Sequence, residues 1–235
     1  MNIDLFIEEL KKINIEVTEH ELYDLKIFKD MLIEYNGKFN LTAIKTDEEI
    51  YLKHFYDSLT ITKVIDLDKE LNILDIGTGA GFPGLVLKIF FPKLNIILLD
   101  SNNKKITFLN EVIKILKLEN IKCIHGRAEE LSDTYREYFD IVTSRAVSNL
   151  RVLSELSIPY VKVNGYFIAM KGNALEEINE AKTTIKKLSS EIIKIEEFIL
   201  PIEKSTRNII AVEKKEKTPT NYPRRYDQIL KKTLK

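Results

Sequence analysis

One stretch constrains the fold more than any other. Leu71-Asn72-Ile73-Leu74-Asp75-Ile76-Gly77-Thr78-Gly79-Ala80-Gly81-Phe82-Pro83-Gly84 puts four of the chain's eight glycines within eight positions, directly after an apolar run. A buried strand, a glycine turn and a following helix is the expected local structure, because glycine reaches positive φ and lets a ligand approach the backbone. Gly79-x-Gly81-x-x-Gly84 is a literal dinucleotide fingerprint, so a nicotinamide or flavin site has to be weighed. Two residues speak against it. A diphosphate would sit on free N–H groups at the helix start, and Pro83 removes one of them. Asp75 places negative charge at the strand end, which suits a cationic ligand better. A Walker loop is excluded, since no Gly-Lys-Ser/Thr follows.

A second acid, Asp100, ends the next apolar run, Ile96-Ile97-Leu98-Leu99. At this distance beyond a glycine loop a carboxylate accepts from both ribose hydroxyls. NAD and S-adenosylmethionine share that ribose, so Asp100 points to a nucleoside without choosing between them; a plain helix N-cap is the other reading. From Leu71 onward, short apolar runs alternate with amphipathic stretches, the mark of a parallel sheet with crossover helices. The expected strands are 72–76, 95–100, 121–125, 139–143 and 165–170, with helices over 104–116 and 174–193. The last two strands, 194–200 and 207–212, are joined too closely for a helical crossover and must form an antiparallel hairpin at one sheet edge. The expected fold class is therefore α/β, with a seven-stranded, mostly parallel sheet.

The first sixty residues read as helices. Ile3, Phe6, Ile7, Leu10 and Ile13 recur at helical spacing. Thr18-x-x-Glu21 and Thr46-x-x-Glu49 are capping boxes, and Gly37 is expected to stop the helix that follows the first. The organisation expected is a helical region over 1–62, a ligand-binding domain over 63–214 and a basic tail over 215–235. Net charge is zero but unevenly spread: residues 1–62 carry −6 and residues 214–235 carry +6, so a polyanionic partner would be touched locally. One cysteine, Cys123, excludes a disulfide framework and a thiolate metal cluster. Apolar runs are too short for a membrane span, and the N-terminus is acidic where a signal peptide is basic. A cytoplasmic protein is expected.

Asp75-Ile76-Gly77-Thr78-Gly79-Ala80-Gly81, with the next strand ending in Asp100, resembles the first motif and partner acid of class I S-adenosylmethionine-dependent methyltransferases. Phe82-Pro83-Gly84, Phe39-Asn40-Leu41-Thr42-Ala43-Ile44, His54-Phe55-Tyr56-Asp57-Ser58-Leu59, Gly126-Arg127-Ala128-Glu129, Ser144-Arg145-Ala146 and Met170-Lys171-Gly172 narrow it. In this order, from about residue 35 to 212, they resemble the RsmG (GidB) family, methyltransferases of guanine 527 N7 in 16S ribosomal RNA. The resemblance implies a Rossmann-like class I methyltransferase fold, S-adenosyl-L-methionine as cofactor, 16S rRNA of the small ribosomal subunit or its precursor as partner, and a monomer. It implies that Asp75, Gly77, Gly79, Phe82, Asp100, Ala128, Glu129 and Arg145 serve the cofactor, and Arg127 and Arg207 the RNA. The family's Tyr-Pro-Arg-Lys/Arg ending is matched by Tyr222-Pro223-Arg224-Arg225, but Tyr226-Asp227-Gln228 follows where Gly or Pro is usual.

Guanine N7 carries an in-plane lone pair and no proton, so attack on a sulfonium methyl needs no general base and no covalent intermediate. Cys123, inside the apolar run Ile121–Ile124, reads as a core thiol rather than a nucleophile, and no Asn/Asp-Pro-Pro-Tyr motif occurs. Alignment then carries the rate, with up to ~7–11 kcal/mol available. An arginine can hold guanine O6, but the usual bidentate O6/N7 grip would block the nucleophile; one of Arg127, Arg145 or Arg207 is expected to hold O6 or a phosphate with N7 free. Lys171 fits a phosphate contact or a structural charge, and Asn40 caps the turn between helices or meets RNA. His54 and Asp57, one turn apart, fit an interdomain hydrogen bond better than a metal site. Arg224, Arg225, Lys231 and Lys232 are candidate phosphate contacts. The competing readings are a methyltransferase of the same fold for a small molecule or protein, an NAD-dependent oxidoreductase, and a silent RNA-binding module.

Overall fold

In the computed structural model, residues 1–131, 133–145 and 147–234 are described. Seven strands form one sheet: β1 Asn72–Ile76, β2 Asn95–Asp100, β3 Ile121–His125, β4 Phe139–Arg145, β5 Val161–Lys171, β6 Ser190–Ile199 and β7 Thr206–Lys214, in the order β3-β2-β1-β4-β5-β7-β6. The first five are parallel. β7 runs antiparallel between β5 and β6, so the final hairpin ends the sheet. β1 borders both β2 and β4, and the chain order reverses there. In open α/β sheets this places a crevice at the carboxyl ends of those strands.

The nine α-helices among the described residues are α1 Ile3–Lys11, α2 Glu19–Phe39, α3 Asp47–Glu49, α4 Asp57–Leu59, α5 Gly84–Phe90, α6 Asn103–Ile115, α7 Leu150–Ser157, α8 Leu175–Lys187 and α9 Tyr226–Lys231. Strand residues alternate between two cores. Ile73, Ile96, Leu98 and Ile168 face the side covered by α5, α6 and the N-terminal helices, where Phe6, Phe28, Leu32 and Phe55 are fully buried. Leu74, Ile97, Leu99 and Phe167 face α7, α8 and Ile229 of α9. The helical region thus shares a core with the sheet. No helix among the described residues is long and apolar enough to cross a membrane.

Three expectations need correction. Gly37 does not stop α2: the helix runs to Phe39, whose ring packs on Tyr35, and Asn40 takes the left-handed cap at φ 51°. Asparagine tolerates that conformation, while a mid-helix glycine costs only ~1 kcal/mol. The helix expected over 174–193 ends at Lys187; Ser189 turns at φ 59°, and Ile192 pairs with Val212 in β6 instead of completing a helical stripe. The helix opened by Thr46 passes into a π-helical stretch, Ile50–Tyr56, before α4. Thr18 and Glu21 form the expected capping box.

The tail is not free. Arg224, read as a phosphate contact, instead donates through Nε and Nη2 to Glu155 of α7 at 2.7 and 2.6 Å. Glu155 is fully buried, and a buried carboxylate demands such a partner. Arg136 holds the carbonyls of Thr218, Pro219 and Tyr222. Arg225, Lys231 and Lys232 remain exposed. Ala146, last in the Ser144-Arg145-Ala146 stretch, lies outside the described residues.

Candidate active site

A cleft of about 680 Å³ opens at the carboxyl ends of β1–β5. Its first wall is the glycine loop. Gly77 and Thr78 donate to the Leu99 carbonyl at 2.8 and 3.1 Å, tying the loop to β2. Gly77 sits at φ +67°, and a Cβ there would lie 2.6 Å from a Val147 methyl. Gly84 needs its missing side chain for a different reason: a Cβ would meet Leu98 at 2.4 Å and Asp75 at 2.8 Å.

Asp75 lies beneath this wall rather than on it. It is fully buried, does not line the cleft, and its Oδ2 accepts from Thr78 Oγ1 at 2.7 Å and Gly84 N at 2.8 Å. The first free N–H of α5 is therefore spent on Asp75, not offered to a ligand. Burial pushes the carboxyl up to about 6, against the pull of those two bonds and of Arg145. Its Oδ1 has no partner among the described residues. Asp75, expected at the cofactor, is thus beneath the loop and off the cleft, and it fixes the loop's shape instead.

Asp100 does reach the cleft. Its Oδ1 accepts from Asn102 N and its Oδ2 from Gly79 N, both at 2.8 Å. Each oxygen keeps a second lone pair for a hydroxyl donor. Gly77, Gly79, Phe82, Ala128 and Glu129 also line the cleft. The Ala128 carbonyl is held by the Tyr160 hydroxyl.

The opposite wall is cationic and comes from three distant segments. Arg145, ending β4, donates through Nη1 to the Lys53 carbonyl (2.7 Å) and Asp57 Oδ2 (3.2 Å), and through Nη2 to His54 Nδ1 (3.1 Å). Arg207, in β7, donates through Nε to Asp57 Oδ1 at 3.1 Å. Asp57 is the shared anion of two cations, itself only 7% exposed. His54 is kept neutral: burial first, and then Arg145, lower it to about 3. Because its Nδ1 accepts from Arg145, its proton sits on Nε2 and is donated to Thr42 Oγ1 at 2.9 Å. Its ring stacks on Phe82 at 4.1 Å, and Arg145 lies 5.2 Å from the same ring. His54 and Asp57 therefore tie the N-terminal helical region to Arg145 of β4 and Arg207 of β7.

The remaining residues separate. Arg127 is half exposed, lies over the Tyr226 ring at 5.7 Å and lines the cleft. Lys171 lines it too, but its Nζ binds Glu177 at 2.8 Å and the Ser148 carbonyl, so it splices β5 to the start of α7 and to α8. Asn40 caps α2 and is not a lining residue. Cys123 is off the cleft, and burial pushes its thiol up to about 12. Thr42, Lys53, Phe198 and Tyr226 line the cleft without having been singled out for it. Only the one-turn spacing of His54 and Asp57 hinted at the network.

A doubly covered, mostly parallel sheet in the order β3-β2-β1-β4-β5-β7-β6, with antiparallel β7 inserted beside β5, a glycine loop after β1 and an acid ending β2, is the Rossmann-like methyltransferase fold, and solved structures agree. A SAM-dependent methyltransferase from Aquifex aeolicus superposes with a TM-score of 0.56 at 16% identity, over 74% of this chain and 96% of that one. TYW2 of M. jannaschii, solved in complex with AdoMet, gives 0.52 at 16% identity, over 62% and 70%. Residues 21–209 match the family model GidB, rRNA small subunit methyltransferase G, and the chain belongs to that family. The ribosomal RNA small subunit methyltransferase G of Oceanobacillus iheyensis is 48% identical over 96% of both chains. That of Bacillus subtilis is 46% identical over 96% of this chain and 95% of its own.

Proposed function

We propose that the protein transfers the methyl group of S-adenosyl-L-methionine to N7 of guanosine 527 in 16S ribosomal RNA, acting as a monomer in the cytoplasm on the small subunit or its precursor. The observation that carries this reading is the pairing of a nucleoside-shaped wall with a cationic wall that holds no free base among its described residues. His54 is neutral with both nitrogens engaged, and Asp57 is held by two arginines. A nucleophile that arrives without a proton suits such a site.

The residues present fit the cofactor. The carbonyl oxygens of Gly77 and Gly79, in a turn whose N–H groups are spent on Leu99 and Asp100, would accept from the ammonium of the amino-acid end, Asp100 would hold the ribose hydroxyls, and Ala128 and Glu129 the base. When bound, the cofactor supplies an electrophilic sulfonium methyl. The protein's own part is alignment and charge. Phe82, against which His54 stacks and Arg145 also lies, shapes the floor between the two walls. Asp75 stays far enough below the loop not to stabilise the reactant cation by direct contact. An arginine donates to guanine O6 or a flanking phosphate, and positive charge moves onto the ring as the new bond forms.

Labelled methyl transfer to small subunits from a strain lacking this protein tests the reading. The expected product is 7-methylguanosine at position 527. Label at another nucleoside, or none, overturns it.

A further inference from the structure

Arginine ordinarily recognises guanine with two parallel donors on O6 and N7. At this site such a grip would occupy the lone pair that has to attack. Resting on the function proposed above, we propose that Asp57 is a positioning residue that leaves Arg207 a single free donor arm and so keeps guanine N7 open.

The geometry is specific. A guanidinium offers two forks, Nε with Nη2 and Nη1 with Nη2. Arg207 gives Nε to Asp57 Oδ1 at 3.1 Å and Nη1 to Ser205 Oγ at 2.9 Å and the Thr206 carbonyl at 3.2 Å. Among the described residues nothing accepts from its Nη2. Both forks are half spent, and one arm is left for O6. Arg145 cannot supply a fork in its place, because Nη1 is held by Lys53 and Asp57 and Nη2 by His54. Asp57 makes both restraints at once from α4, and it offsets one of the two cations that would otherwise face a guanine becoming positive. Asparagine in its place leaves one acceptor oxygen for two arginines and no charge, and alanine leaves none, so the Nε edge of Arg207 is loosened by the first change and freed by the second. The RNA would still bind, but in a pose with N7 capped.

This separates binding from turnover. With Asp57→Asn, close in shape to the native residue, kcat on undermethylated small subunits should fall by about tenfold or more, while KM for the subunit stays within about threefold or drops. Asp57→Ala, which removes both acceptor oxygens, should lower kcat at least as far, and retained affinity for S-adenosylhomocysteine shows that either variant is folded. Lysine has one donor head and no fork, so Arg207→Lys in the Asp57→Asn background should turn over faster than Asp57→Asn alone, although Arg207→Lys by itself is slower than wild type. Affinity for S-adenosylhomocysteine should stay within about twofold throughout, a check that the loop wall is intact. The proposal is overturned by an unchanged kcat, by a raised KM with kcat intact, or by a double variant slower than Asp57→Asn. Wild-type protein that labels no guanine N7 would instead remove the functional reading.

Discussion

The two walls of the cleft are built in opposite ways. The glycine wall is contiguous: it follows one strand, is held by backbone bonds to Leu99 and Asp100, and rests on one buried acid. The cationic wall is assembled from residues 42–57, 145 and 207 and is held by charged side chains. A backbone cradle is shaped before any ligand comes; a side-chain network holds its shape only while every charge has its counterpart. The first wall should therefore fail sterically and selectively, and the second electrostatically and with the fold.

The largest effect on ligand affinity is expected at the cradle. Gly77→Val combines positive φ with a Cβ overlapping Val147, and strain of ~1–3 kcal/mol adds to the displacement of the loop. Calorimetry should show affinity for S-adenosylhomocysteine falling by about 100-fold, with most of the fold's stability kept. Retained affinity would mean the loop does not shape the site.

The network should behave in reverse. Arg145→Ala leaves Asp57 with one partner and unpairs His54 Nδ1. Breaking a buried pair costs about 3–5 kcal/mol, so denaturant unfolding should shift by that order. A loss below about 1 kcal/mol would show that Arg145 does not hold the cationic wall together.

The smallest effect per unit change is a pH slope. His54 titrates near 3 in the fold against an ordinary 6.5. The unfolded chain binds its proton first, so stability from a neutral His54 is present above pH 6.5 and is lost as pH falls toward 3, at ~1.4 kcal/mol per pH unit. Asp75 runs the other way: raised to about 6 from 3.8, it weakens the fold as pH rises between those values. Comparing wild type with His54→Gln isolates the histidine, and the gap between them should shrink in acid. A constant gap would place His54 outside the cation wall's balance.

The same contrast explains what could be read from the chain. Strands 72–76, 95–100 and 121–125 were visible to the residue, because short apolar runs bounded by glycine and acid are local signals. So was the glycine wall. The end of α8 was not, because Ile192 satisfies a helical stripe and a strand equally until Val212 is placed opposite it. The pairings of Arg145 and Arg207 with Asp57 span 88 and 150 residues, and no spacing rule reaches that far. Arg224 misled for the same reason: in sequence it is one more cation of a basic tail, and only the fold brings the buried Glu155 against it.

The central claim is that no proton has to leave the nucleophile. Its most direct test is the pH dependence of single-turnover methyl transfer to the small subunit. A rate flat between about pH 6 and 8.5 is predicted, because the reacting nitrogen is already unprotonated. A rate climbing tenfold per pH unit across that range would reveal a general base and contradict the account.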